Sequence, residues 1–304
     1  MRRRTFLQSA AAFAALAKGE ATGDVRDRVA IQAEFDAITP KAYDEFLKRG
    51  LALTDEEKAV VFAATPGLKR YDEAFDKVFA EAQTTVVTDR PAIWYVYNMG
   101  LVVKTPQALF AIDLNHRQAE RFAPLLDFAL VTHNHGDHFH KRFYLAMDGK
   151  FHKTVISNFM DNYGAFFSKV PAGYTRAEKT FPVKDVTIRT FLSDHNAYLI
   201  DFTTGFEISV GDFTLLHTGD SCNIDKINPG RTPDLWVVHP RCGLSVEACV
   251  AKFHPKCTVI AHLVELGHAR DRCRWTLADG ETVKAKVEAA GGKAVVPLWG
   301  DRIA

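Results

Sequence analysis

Three histidines and an aspartate within six residues, His133-Asn134-His135-Gly136-Asp137-His138, constrain this chain more than any other feature. They follow directly on the apolar run Phe128-Ala129-Leu130-Val131. Imidazole nitrogens and an anionic oxygen crowded onto one turn form a donor set for divalent metals, and few other uses of these residue types explain the spacing. A strand-like run feeding a polar cluster also places the cluster at the carboxyl end of a strand, where α/β sheets keep their sites. A His-rich tract can instead be a processing tag or a loose metal-binding loop. Four specified positions directly after a strand argue against that, and the pattern reads as a metalloenzyme.

Length and composition bound the rest. A chain of 304 residues, 47% of them hydrophobic, can bury a sizeable core, and one large domain with an appendage fits better than two equal halves. Charge is nearly balanced, with 38 basic against 37 acidic side chains and a net +1. There is no electrostatic footprint for nucleic acid or an anionic membrane, so neither is expected as a partner. Five cysteines, Cys222, Cys242, Cys249, Cys257 and Cys273, form an odd set without a C-x-x-C pair, which signals neither a disulfide framework nor a zinc ribbon. Most are expected in the core; Cys222, two residues after Asp220, is the one placed to line a pocket, although packing is its expected role as well.

The first seventeen residues read as a signal peptide. Arg2-Arg3-Arg4 precedes Thr5-Phe6-Leu7-Gln8 and a small apolar run, Ser9 to Ala17, too short to span a bilayer as a mature helix. Arg3-Arg4-Thr5-Phe6-Leu7-Gln8 resembles the twin-arginine export motif R-R-x-F-L-K, with Gln in the last place, and Ala15-Leu16-Ala17 offers small residues for cleavage before Lys18. Charged and apolar residues are segregated along the chain, not around a helix, which disfavours an attached amphipathic segment. The expected location is bacterial, periplasmic or secreted, with no membrane association after removal of the signal.

Residues 18–88 read as helical. Ala33 to Arg49, Thr54 to Ala64 and Tyr71 to Ala82 repeat apolar residues three and four apart, Thr54-Asp55-Glu56-Glu57 has a capping-box pattern, and Pro66-Gly67 breaks the chain. From about residue 91 the period changes to that of strands: Ile93 to Tyr97, Gly100 to Lys104, Ala108 to Ile112, Val186 to Leu192, Ala197 to Asp201, Phe206 to Val210, Phe213 to His217, Leu235 to His239, Val259 to His262 and Ala294 to Val296. Helix is expected over Arg117 to Leu126, Phe151 to Lys169, Ser245 to Phe253 and Thr282 to Ala290. Periodicity alone supports a mixed α/β domain.

The motif His133-x-His135-x-Asp137-His138 resembles the H-x-H-x-D-H signature of the metallo-β-lactamase fold, and the remaining motifs of that family are matched in order. His195 matches the histidine at a strand-to-turn junction, Asp220 the aspartate closing an apolar strand, His262 the histidine after another, and Asp113 the supporting aspartate that ends an early strand. The resemblance covers roughly residues 90 to 304. It implies a four-layer α/β/β/α sandwich over 89–304, with 18–88 as a helical extension outside the family pattern.

The resemblance also implies a binuclear site. His133, His135 and His195 would hold one metal, Asp137, His138 and His262 a second, and Asp220 would bridge them. An N and O donor set with no required thiolate suits two divalent ions, zinc first, with manganese or iron open. Two such ions about 3.5 to 4 Å apart supply a hydroxide near neutral pH, with Asp137, as ligand or proton carrier, helping a proton to the leaving group. The implied reaction is hydrolysis of a small-molecule ester, lactone or phosphodiester. Phe139-His140 stands where β-lactamases and glyoxalase II enzymes have a glycine-rich continuation, so the chain looks more like the lactonase and phosphodiesterase branch. Two alternatives stay open: a mononuclear-iron sulfur dioxygenase on the same fold, and a metal-binding protein without turnover. A homo-oligomer is possible. For His116, His140, His217, His239 and His268, orientation of a ligand or core packing is expected; His239 and Arg241 are the pair placed to line the pocket, Arg241 reading first as a solvated loop residue.

Overall fold

The computed structural model describes residues 25–157, 178–269 and 271–304; the expected export signal lies outside the described residues. The described residues open with helices α1 (Val25–Asp36), α2 (Pro40–Arg49), α3 (Asp55–Ala64) and α4 (Pro66–Thr84). The single helix expected from Ala33 to Arg49 is two. Pro40 has no N–H to continue α1 and forces Thr39 into an extended conformation, from which its hydroxyl accepts a bond from Ala42 N at 3.2 Å and caps α2. Thr54 and Glu57 do form the capping box of α3. Pro66, expected to break the chain, is instead the first residue of α4, where a missing N–H costs nothing.

Two sheets follow. The first is five-stranded in the order β1 (Ala92–Tyr97), β2 (Gly100–Lys104), β3 (Leu109–Ile112), β4 (Phe128–Leu130), β5 (Thr154–Ile156). The second has seven strands, β6 (Lys179–Val183), β7 (Val186–Ser193), β8 (Thr203–Val210), β9 (Phe213–His217), β10 (Leu235–Val238), β11 (Thr258–Ile260) and β12 (Ala294–Val295), side by side in chain order. Pairing is parallel from β3 to β5 and from β9 to β12, antiparallel elsewhere. Helices α5 (Lys141–Leu145), α6 (Val246–Phe253) and α7 (Leu277–Ala289) complete the described α-helices.

Side-chain parity divides the interior into layers. Ile93, Tyr95, Leu101, Val103, Phe110 and Phe128 face the second sheet, where they meet Ile188, Phe206, Leu215, Val237 and Val259. The alternate residues Trp94, Val96, Val102, Ala111 and Ala129 face outward to Phe35, Tyr71, Phe75 and Val78 of the helical segment, and Leu216, Trp236 and Ile260 face outward with Val250 of α6 and Val283 and Val287 of α7. Burial on both faces explains why these strands read as continuous apolar runs. The layers are helix, sheet, sheet, helix: the expected α/β/β/α sandwich.

The N-terminal helices supply one outer layer and are locked to it by a buried ion pair. Arg117 grips Asp72 of α4 through Nε at 2.7 Å and a second guanidinium bond, and its Nη1 donates to Gly50 O at 2.6 Å. Several local expectations differ from the structure. Asn196 accepts bonds from Tyr198 N and Leu199 N, so Ala197 to Asp201 is a tight turn, not a strand. Arg117 to Leu126 contains only a 3₁₀ turn at Ala119–Arg121. Within Phe151 to Lys169, Thr154 to Ile156 pairs with β4 as a parallel strand, and 158–169 lie outside the described residues. Strand β6 was not expected at all. Among the described residues no helix is long and apolar enough to cross a membrane.

Candidate metal centre

Every sheet strand that ends near the centre points its carboxyl end at it. His133 comes two residues past Val131 after β4, His195 follows β7, Asp220 follows β9, His239 follows β10 and His262 follows β11. The two sheets meet at this edge through Thr204 N to Thr132 O (2.8 Å) and His262 N to Asn98 O (2.9 Å). Gly219 allows the approach: its φ is +52°, and a Cβ there would lie 2.8 Å from Thr132 Cβ and 2.9 Å from Thr203 Cγ2.

The structure gathers the seven sequence-predicted residues into two groups. His133, His135 and His195 form one and Asp137, His138, Asp220 and His262 the other, with the donor atoms of each group within 4.8 Å of one another. Asp220 touches both: its Oδ2 is 3.5 Å from His195 Nε2, 3.5 Å from His262 Nε2 and 3.9 Å from His133 Nε2, and its Oδ1 is 3.4 Å from His138 Nε2. Asp137 Oδ2 lies 3.1 Å from His262 Nε2 and 3.4 Å from His138 Nε2.

The hydrogen bonds behind the centre fix which ring nitrogens face it. Asp113 is fully buried and accepts from Thr132 N (2.7 Å), from the Thr132 hydroxyl (2.6 Å) and from His138 Nδ1 (2.8 Å). The Thr132 proton is thereby committed to Asp113, so His133 Nδ1, 3.0 Å from the same hydroxyl, must be the donor. Its Nε2 is left as a bare lone pair, buried and without a hydrogen-bond partner among the described residues. An orphaned acceptor at that depth is costly in a folded protein and fits a metal ligand. His262 is oriented differently, by stacking on His239 at 3.8 Å and 8°. Its φ is +55° and that of Val264 is +57°, a rare backbone for a β-branched residue.

Electrostatics agree with a cation site. Burial opposes charge on Asp220 and Asp137, but His138 and His262 outweigh it and hold both carboxyls well below their ordinary range. Burial likewise opposes charge on His138, where Asp220, Asp137 and Asp113 prevail and raise it; His262 is pushed up to about 10 by Asp220 and Asp137. Burial keeps His133 and His135 neutral, pulling both below 6.5. Cations at His138 and His262 would replace protons on Nε2, as metal binding to imidazole requires.

Sequence reasoning missed three neighbours. Asn98, in the Asn98-Met99 turn between β1 and β2, donates from Nδ2 to Asp137 O and Oδ2, both at 3.2 Å. Thr132 sets the His133 tautomer, and Phe202 walls the first group, with its ring 5.2 Å from His135 and 5.7 Å from His133. A turn asparagine, a strand-end threonine and a loop phenylalanine carry no periodic signal; only the fold brings them here. Arg241 is not aimed at a substrate: it pairs with Asp279 at 2.7 Å and lies over Trp275. His217 donates from Nε2 to Met99 O, and His116 is stacked on Tyr71 and Phe75 within the helical layer, away from the centre. Cys249 and Cys257 are buried, Cys222 and Cys242 half-buried and Cys273 exposed.

Neither a protein-family model nor a curated protein sequence matches the chain. Solved structures do. A metallo hydrolase from Ignicoccus hospitalis superposes with a TM-score of 0.54 at 18% identity, covering 70% of this chain and 97% of that one. The metallo-β-lactamase fold protein YhfI from Bacillus subtilis gives 0.52 at 15% identity, covering 71% and 99%. A variant of the β-hydroxylase CmlA from Streptomyces venezuelae gives 0.51 at 16% identity, covering 86% of this chain and 61% of that one. The chain thus has the metallo-β-lactamase fold.

Proposed function

We propose that this protein is a binuclear metal-dependent hydrolase of small-molecule esters, lactones or phosphodiesters. The observation that carries the reading is the pair of donor groups sharing Asp220, with His133 Nε2 held bare by the Thr132–Asp113 relay. His133, His135 and His195 would hold one divalent ion, Asp137, His138 and His262 the other, and Asp220 both; zinc is the first choice for this N and O set, ahead of manganese or iron. Such ions supply a hydroxide at neutral pH and an electrophile for the oxygen that gains charge. The chain's own residues do the rest. Asp113 and Thr132 orient His138 and His133, Asn98 holds Asp137 where it can receive the proton of the attacking water, and Phe202 excludes water from the side of His135.

The absence of a glycine-rich run after His138 supports the lactonase and phosphodiesterase branch. We further place the mature protein in the periplasm or outside the cell, on the strength of the twin-arginine-like residues 1–17. Elemental mass spectrometry of the purified protein, with a panel of lactones, phosphodiesters and a chromogenic β-lactam, tests the reading. Two zinc or manganese ions per chain with turnover of one bond class supports it. One iron per chain without hydrolysis would replace it by the sulfur dioxygenase chemistry of the same fold. Asp220→Ala should lose metal and activity together; two ions retained with full activity would sink the ligand assignment.

A further inference from the structure

His239 is a buried imidazole at the centre that belongs to neither donor group. It follows β10 and continues the parity of Leu235 and Val237, whose side chains face the first sheet, so its ring enters the edge where the two sheets meet. There it lies face to face on the His262 ring, with 3.8 Å between centroids and 8° between planes. His262 Nε2 is turned to Asp137 Oδ2 at 3.1 Å and Asp220 Oδ2 at 3.5 Å, and a stack this close puts the whole His239 ring beside the second donor group.

The chain itself fixes the tautomer. Arg241 N donates to His239 Nδ1 at 3.2 Å, so Nδ1 is the acceptor and the proton of the neutral ring is on Nε2. The Arg241 backbone is held in turn: its guanidinium bonds Asp279 at 2.7 Å and lies over Trp275, and Asp279 belongs to the capping box of α7. Cys242 Sγ adds a bond to His239 O at 3.3 Å. No described residue accepts from His239 Nε2, and this atom is not sealed in as His133 Nε2 and His262 Nδ1 are. A residue only 6% exposed thus keeps one N–H open beside the second donor group. A desolvated donor without a partner costs stability, which is tolerated where a ligand supplies the acceptor.

We propose that His239 is a catalytic residue that donates a hydrogen bond from Nε2 to the substrate oxygen on which negative charge develops, an inference that rests on the hydrolytic reading above. In that reading the hydroxide oxygen bonds to the acyl carbon or phosphorus, and an electron pair moves onto the carbonyl or phosphoryl oxygen. The Nε2–H of His239 meets that oxygen and keeps its proton throughout. Arg241 N and the His262 stack lock the ring before substrate arrives, so the donor needs no reorganisation as the charge grows. Loss of one such preorganised donor costs about 100- to 1,000-fold in kcat.

Two variants separate the donor from the ring. His239→Phe keeps an aromatic ring to stack on His262 and removes the N–H; His239→Gln removes the ring and carries an amide N–H to a similar place. The zinc-loaded proteins are compared on γ-butyrolactone, phenyl acetate and bis(4-nitrophenyl) phosphate. On the substrate class that wild type hydrolyses, His239→Phe should lose about 100- to 1,000-fold in kcat at unchanged zinc content, and His239→Gln should recover part of the loss. Unchanged turnover in His239→Phe, or a loss that tracks loss of zinc, would overturn the donor role and leave the hydrolase reading standing; a zinc-loaded wild type that hydrolyses none of the three would overturn both. A second measurement needs no turnover. Long-range ¹H–¹⁵N spectra of wild type should show the His239 proton on Nε2 and a bare Nδ1, and a proton on Nδ1 would refute the assignment.

Discussion

At the scale of single residues the centre is governed by proton bookkeeping around Asp113. One carboxylate takes both available side-chain protons behind the site, from Thr132 and His138, and thereby turns two lone pairs toward the cation positions. Asp113→Asn keeps the size of the side chain but offers an N–H₂ where an acceptor is needed, so His138 and Thr132 lose a fixed donor direction. Metal affinity should fall by about 10- to 100-fold, the usual cost of removing the group behind a ligating histidine. Competition titration against a chromogenic chelator measures it, and an unchanged affinity would show that Asp113 does not set the ligand geometry. The seven residues of the two groups were legible in the sequence because four crowd into the His133–His138 motif and His195, Asp220 and His262 follow strand-like apolar runs in the order of the family's motifs. Thr132 and Asn98 were not, since their importance comes from hydrogen bonds formed across 19 and 39 residues of chain.

At the scale of elements, the segments that carry these side chains are fixed by local polar contacts more than by regular structure. The turn bearing His195 is clamped by Asp194, which accepts from Asn223 Nδ2 (2.9 Å), Lys226 Nζ (2.6 Å) and Asp201 N (3.0 Å). This is why Ala197 to Asp201 defeats a strand reading: alternation is present, but Asn196 and Asp194 capture the backbone groups that a ladder would need. The contact of α4 with the first sheet carries a pH dependence of its own. Burial, with the adjacent Arg117 charge behind it, holds His116 well below 6.5 and therefore neutral in the fold. The unfolded chain takes up a proton near 6.5 that the folded chain refuses, so stability present above that pH is lost as pH falls from about 6.5 toward the lower folded value, by at most about 1.4 kcal/mol per pH unit for one group. His116→Phe keeps the stack on Tyr71 and Phe75 and removes the titration. Urea unfolding at pH 7.5 and 5.5 should show a smaller difference for the variant than for wild type; an equal difference would assign the acid sensitivity elsewhere.

At the scale of the whole molecule, the mixed α/β character was legible from the strand-like runs and the four layers only through the family resemblance, whereas the tie between the helical segment and the sandwich was not legible at all. That tie is the buried Arg117–Asp72 pair, formed between residues 45 apart, and nothing in either local sequence announces it. Burial pushes the Asp72 carboxyl up even with Arg117 beside it, so the pair has little margin. Arg117→Met leaves Asp72 buried without its partner and should destabilise the protein by about 3–5 kcal/mol, read as a shift of the urea midpoint. A change under 1 kcal/mol would mean that the other contacts of the layer suffice, among them the aromatic stacks and the Arg274 bonds to the Phe35 and Ile38 carbonyls.

The centre itself is drawn from both sheets: His133 arrives from the first, His195, Asp220 and His262 from the second. No partly folded chain with one sheet formed can therefore present the full donor set. A cation that selects this set works as a reporter and a brake on unfolding, because it stabilises only the fully docked state by about 1.4 kcal/mol for every tenfold excess over its dissociation constant. Separation of the two sheets should then require release of the metal first, so that unfolding slows as free metal is raised.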